Sequence, residues 1–120
     1  MIEFFKDSEI IGLDIKLVVK LDMARKMAGI PFIITSGRRT PAKSVAVGGF
    51  ATDAHTKGLA VDIYCKNDNQ AFWIIKGAYV AGFRRIIRGN KHIHLDIDES
   101  LPQDIFFIEP AFCIDLVKNA

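Results

Sequence analysis

The three histidines of this 120-residue chain fall in two places: His55, at the end of a stretch without periodicity, and His92 with His94 inside KHIHLDID. Read as a strand, KHIHLDID sets His92, His94, Asp96 and Asp98 on one face and Ile93, Leu95 and Ile97 on the other. One face is then a row of titratable groups and the other is core. In LAVDIY (residues 59–64) the same alternation sets Leu59, Val61 and Ile63 against Ala60, Asp62 and Tyr64. If the two strands are neighbours, Asp62 and His94 converge, and the preceding loop can lower His55 onto the same spot. Two imidazoles and one carboxylate form a three-ligand set for zinc, with donors expected at about 2.0–2.2 Å. A fourth position left open is the arrangement of a catalytic site, whereas structural zinc is usually closed by four ligands. The spacing alone is equally compatible with a solvated polar strand face, because the residues come from separate segments and not from one compact motif.

Several elements must position these groups. Asp14 to Ala28 reads as a helix: Leu17, Val18, Leu21, Ala24 and Ala28 recur at spacings of three and four, and Gly29 followed by Pro31 stops it. PFIIT predicts a short apolar strand over Phe32 to Ile34. From Ser36 to Thr56 periodicity disappears, and a long loop rich in turn formers is expected, a length that in a compact domain points to function or disorder. After the strand 59–64, NDNQ opens a second helix running to about Ala81, with Phe72, Ile75, Ala78 and Tyr79 as its buried stripe and Gly82 as its end. RRIIR, the turn pair Gly89-Asn90 and KHIHLDID predict a hairpin. The last 20 residues hold the apolar run IFFI and a weakly amphipathic segment, PAFCIDLVKNA. The expected fold class is α+β, with a small, largely antiparallel sheet and flanking helices in one domain over residues 1–120.

Composition narrows the partners. Half of the residues are hydrophobic and the mean hydropathy is +0.21, too apolar for a disordered chain. Sixteen Lys and Arg against fourteen Asp and Glu leave a net charge of +2, too balanced to indicate a nucleic-acid binder. No run is long and apolar enough for a membrane span, and Glu3, Lys6, Asp7 and Glu9 interrupt the start where a signal peptide needs an apolar run. Synthesis in the cytoplasm is therefore expected. Cys65 and Cys113 lie 48 positions apart without a CxxC pair, which points to free thiols and not to a disulfide framework.

The run ITSGRRTPAKSVAVGGFATDAHTKGLAVDI (residues 34–63) resembles the signature of the zinc D-alanyl-D-alanine carboxypeptidases and L-alanyl-D-glutamate endopeptidases. That signature reads approximately T-S-G-Y-R-[ST], then V-G-G, then S-x-H-x-x-G-x-A-x-D. The later IHLDID resembles the same family's second histidine with an aspartate two residues on, and the zinc domain of hedgehog signalling proteins carries a similar H-I-H segment on the same fold. The resemblance spans about Ile30 to Asp98. It implies the hedgehog-like peptidase fold, Zn2+ as cofactor, and His55, Asp62 and His94 as its ligands.

Carried over by position, Arg39 matches the arginine that binds the substrate carboxylate or steadies the oxyanion, a task suited to a planar, permanently charged donor. Arg38 stands where the family has tyrosine. Gly48, Gly49 and Gly58 match family glycines, implying tight turns that bring His55 to the metal. Asp53 replaces the serine two before the histidine, where it can accept from a ligand N–H or cap a turn. Asp96 matches the H-x-D aspartate and is expected to orient a ligand histidine or support the strand.

The general base departs from the pattern. Some relatives hold a Glu or Asp a few residues before the last histidine. Here Arg88 and Lys91 stand six and three before His94, and neither acts as a base while charged. His92, about 7 Å along the same strand face, is the best substitute, with Asp96 and Asp98 next. The implied function is a zinc metallopeptidase hydrolysing peptidoglycan stem peptides or a small D-amino-acid peptide, as a monomer. Release to the cell wall by a holin, or carriage in a virion, would suit a phage or prophage lysis enzyme. A zinc-holding interaction module without turnover is the alternative, and a metal-free domain with a solvated polar strand is a third.

Overall fold

A computed structural model describes residues 2–47 and 53–110. The expected positions Gly48, Gly49 and Cys113 lie outside them. Helix α1 (Ile15–Ala28) starts where Asp14 accepts the Lys16 N–H at 2.8 Å and ends at Gly29, whose φ of 72° is the left-handed conformation that glycine adopts without strain. Its buried residues are the five that the spacing marks: Leu17, Val18, Leu21, Ala24 and Ala28.

Strand β1 (Ile34–Ser36) is shifted two residues from the expected Phe32 to Ile34 and shares only Ile34 with it, although Phe32 is itself buried in the core. The supposed loop that follows contains a helix, α2 (Pro41–Ala46), capped by the Thr40 hydroxyl on the Lys43 N–H at 3.1 Å, with Pro41 in its first turn. Strand β2 (Ala60–Tyr64), helix α3 (Asp68–Val80), and the strands β3 (Arg85–Arg88) and β4 (His92–Asp96) follow in the expected order. The IFFI run becomes β5 (Ile105–Ile108).

The five strands form one sheet in the order β1-β2-β4-β3-β5. Three pairings are antiparallel, and β5 joins β3 in parallel, an edge that the sequence reading did not place. The fold class is therefore α+β with a mixed, largely antiparallel sheet. Val61, Ile63, Ile86, Ile93 and Leu95 point into a core shared with α1 and α3. Alternation leaves Asp62, His92, His94 and Asp96 on the opposite face.

The buried stripe of α3 differs from expectation. It consists of Ala71, Ile74, Gly77 and Ala78, while Phe72 and Tyr79 are 60% and 76% exposed. The reason is the close approach of α1: a Cβ at Gly77 would lie 2.3 Å from the Ala24 carbonyl oxygen. Helices that close have room only for small residues between them, so the aromatic side chains turn outward.

Candidate metal centre

Asp62 on β2 stands directly opposite His94 on β4, and the pairing of these two antiparallel strands brings the side chains together. The His94 Nδ1 lies 3.1 Å from Asp62 Oδ1. His55 arrives from the turn 53–56, where Asp53 Oδ1 accepts the Thr56 N–H at 3.1 Å and the Ser44 hydroxyl at 3.2 Å. Gly58, at a φ of 73°, closes that turn with its N–H on the His55 carbonyl, while its own carbonyl accepts the Asp14 N–H at 2.9 Å. A Cβ at position 58 would meet the Gly12 carbonyl, so only glycine fits. His55 Nε2 thereby reaches 3.5 Å from Asp62 Oδ1, and one ligand atom from each of His55, Asp62 and His94 lies within 4.8 Å of the others.

The outer nitrogen of each imidazole is already engaged. His55 Nδ1–H donates to the Gly37 carbonyl at 2.9 Å, leaving Nε2 as the donor atom towards Asp62. His94 Nε2–H donates to Asp96 Oδ2 at 2.7 Å, leaving Nδ1 on the Asp62 side. Such outer partners fix which nitrogen ligates a metal and raise its basicity. Asp96 is itself fully buried and held in turn: its Oδ1 accepts from Arg85 Nε at 2.8 Å and from the Asp98 N–H at 3.0 Å.

The electrostatics agree with this donor set. Burial is the largest influence on His94 and opposes its charge, but hydrogen bonds to Asp62 and Asp96 outweigh it and raise its pKa to about 9. Burial also acts against the Asp62 carboxylate, and His55 and His94 together overcome it, holding this group well below the usual carboxylate range. The protein groups alone thus keep a proton between two anionic partners, at the point where a cation bound by His94 Nδ1 and Asp62 would replace it. Two imidazole nitrogens and one carboxylate oxygen suit zinc and, with less selectivity, other divalent ions.

The trio opens into a cleft of about 510 Å³ lined also by Arg39, Asp53, Arg85, His92, Asp96 and Glu109. Arg39 donates its backbone N–H to the His55 carbonyl at 3.1 Å. Its guanidinium lies 3.9 Å from Asp53, and its Nε is buried without a hydrogen-bond partner among the described residues. Asp53 makes the contacts of a turn cap, and the His55 ring Nδ1–H goes to the Gly37 carbonyl. His92 lies in the same cleft with its Nε2 3.0 Å from Glu109 Oε1. Asp98 does not join it: β4 ends at Asp96, and the buried Asp98 carboxylate pairs with Lys57 at 2.8 Å in a separate hollow. Arg88 points to the α3 face, where it pairs with Asp68, and Lys91 Nζ donates to the Lys66 carbonyl at 3.1 Å.

Sequence reasoning missed three contributors: the Gly37 carbonyl, Arg85 and Glu109. Alternation along RRIIR, with the register set by the Gly89-Asn90 turn, was the signal that could have placed Arg85 beside Asp96. A family model described as Peptidase M15 matches residues 4–96, a segment that includes every expected ligand and stops before Glu109. No curated protein matches the chain.

Proposed function

The chain belongs to the Peptidase M15 family, and from that premise we propose that it is a zinc-dependent metallopeptidase acting on peptidoglycan stem peptides. The observation that carries this reading is the convergence of His55, Asp62 and His94 at a cleft that also holds Arg39 and His92. His55 Nε2, Asp62 Oδ1 and His94 Nδ1 would hold the ion. When bound, zinc supplies a Lewis acid that polarises the scissile carbonyl and makes water more acidic.

The chain's own groups supply the rest. Arg39, whose buried Nε has no hydrogen-bond partner among the described residues, binds the anionic end of a stem peptide, where a forked cation suits a carboxylate. His92 takes a proton from the attacking water as its oxygen bonds to the carbonyl carbon. It gives that proton to the amine as the C–N bond breaks. Asp96 and Arg85 keep His94 oriented, and Asp53 keeps the His55 turn closed. The reading covers both D,D-carboxypeptidase and L-alanyl-D-glutamate endopeptidase action, with cell-wall lysis by a phage or prophage enzyme as the setting that this chemistry fits.

The test is mass spectrometry of purified muropeptides incubated with zinc-loaded protein, beside a chelated control. The expected result is a chelator-sensitive product whose mass identifies the bond: loss of a terminal D-alanine, or release of the stem after L-alanine. His92→Ala should remove at least about 100-fold of that rate while retaining metal. The lack of an acidic residue at positions 88 and 91 favours a second reading, a zinc-holding interaction module. Metal-loaded protein that yields no product would establish that reading over the first.

A further inference from the structure

The acid missing from the segment before His94 has a counterpart elsewhere in the chain. Strand β5 runs parallel to β3, and just beyond its end the Glu109 N–H donates to the Arg88 carbonyl at 2.8 Å. Alternation along β5 sends Phe106 and Ile108 to the α3 face and Glu109 to the face of the cleft. There its carboxylate accepts from His92 Nε2 at 3.0 Å, with both side chains about one-third exposed. The Cε1 edge of the His92 ring, with both nitrogens, fills the space that a side chain at Gly89 would need. The ring is thus packed against a glycine and tied at Nε2 by a carboxylate.

We propose that Glu109 is a positioning residue of the active site, fixing His92 as the Nε2–H tautomer so that Nδ1 is its basic nitrogen. This rests on the peptidase reading given above. When Nδ1 accepts the proton of the attacking water, the ring becomes an imidazolium, and the adjacent carboxylate stabilises that charge until the proton passes to the leaving amine. A carboxylate behind a catalytic histidine does this work without taking the proton itself. Glu109 lies outside residues 4–96, the segment that the family model matches.

The experiment compares wild-type holoprotein with Glu109→Ala, Glu109→Gln and Glu109→Asp, reading kcat and KM on a stem peptide, zinc content, and the His92 tautomer by nitrogen-15 NMR. Glu109→Ala should lower kcat by about 10- to 100-fold with KM within about twofold, keep one zinc per chain, and lose the pure Nε2–H tautomer. Glu109→Asp should recover part of the rate. Glu109→Gln keeps the shape and an acceptor oxygen without the charge, so it tests the role even if the alanine variant folds poorly, and its kcat should still fall. A kcat within twofold of wild type in both Ala and Gln variants, or an unchanged His92 tautomer in folded Glu109→Ala, would overturn the assignment while leaving the peptidase reading intact. A wild-type holoprotein without turnover would instead remove the peptidase reading, and the role of Glu109 with it.

Discussion

At the scale of single residues, the site is a chain of dependencies running outward from His94. Its Nε2–H needs the Asp96 carboxylate, and that buried carboxylate needs Arg85, which is itself only 7% exposed and whose guanidinium also donates to the Pro102 carbonyl at 2.6 Å. Removing one partner of a buried pair leaves an uncompensated charge, at a cost of about 3–5 kcal/mol. Arg85→Met should therefore lower stability by roughly 3 kcal/mol in a denaturant melt. In zinc titrations it should weaken affinity about 10- to 100-fold although it touches no ligand atom. An unchanged affinity would mean that Asp96 orients His94 without help. Strand alternation put His94 and Asp96 on one face, and Asp62 became legible as their neighbour only with the added premise that its strand lies beside theirs. Arg85 sits on β3, whose pairing with β4 the Gly89-Asn90 turn announces, so alternation could have placed it. Glu109 was hidden because β5 joins the far side of β3 in parallel, a pairing that no local turn announces.

At the scale of elements, long periodic segments were legible and short ones were not. The fourteen residues of α1 carry their cap, stripe and glycine stop in the sequence. The six residues of α2 are too few to show a period, and only the Thr40-Pro41 start marks them. The face of α3 was misread because hydrophobicity favours Phe72 and Tyr79, whereas the close approach of α1 leaves no room for a side chain at Gly77 and turns Ala71, Ile74 and Ala78 inward with it. This argument makes a prediction opposite to helix propensity. Alanine is about 1 kcal/mol better than glycine in a helix interior. Gly77→Ala should nevertheless destabilise the protein by about 1–3 kcal/mol, because the new methyl collides with the α1 backbone. Thermal unfolding of the variant checks it, and a raised melting temperature would show that α1 and α3 stand further apart.

At the scale of the molecule, the sheet divides labour between its faces. One is sealed by α1 and α3, and the other carries the cleft. No helix among the described residues is long and apolar enough to cross a membrane. The prospective ligands come from three elements: the turn 53–56, the adjacent strand β2, and β4, whose His94 lies 32 positions after Asp62. An ion bound among them would tie the loop to the sheet and stabilise the folded chain in proportion to its affinity. The most direct test of that centre is a zinc titration of the metal-stripped protein at fixed pH, run beside His55→Ala, Asp62→Ala and His94→Ala. One zinc per wild-type chain, with affinity reduced at least about 100-fold in each variant, is the predicted result. Wild-type protein that takes up no zinc, or variants that bind it as tightly as wild type, would contradict the assignment.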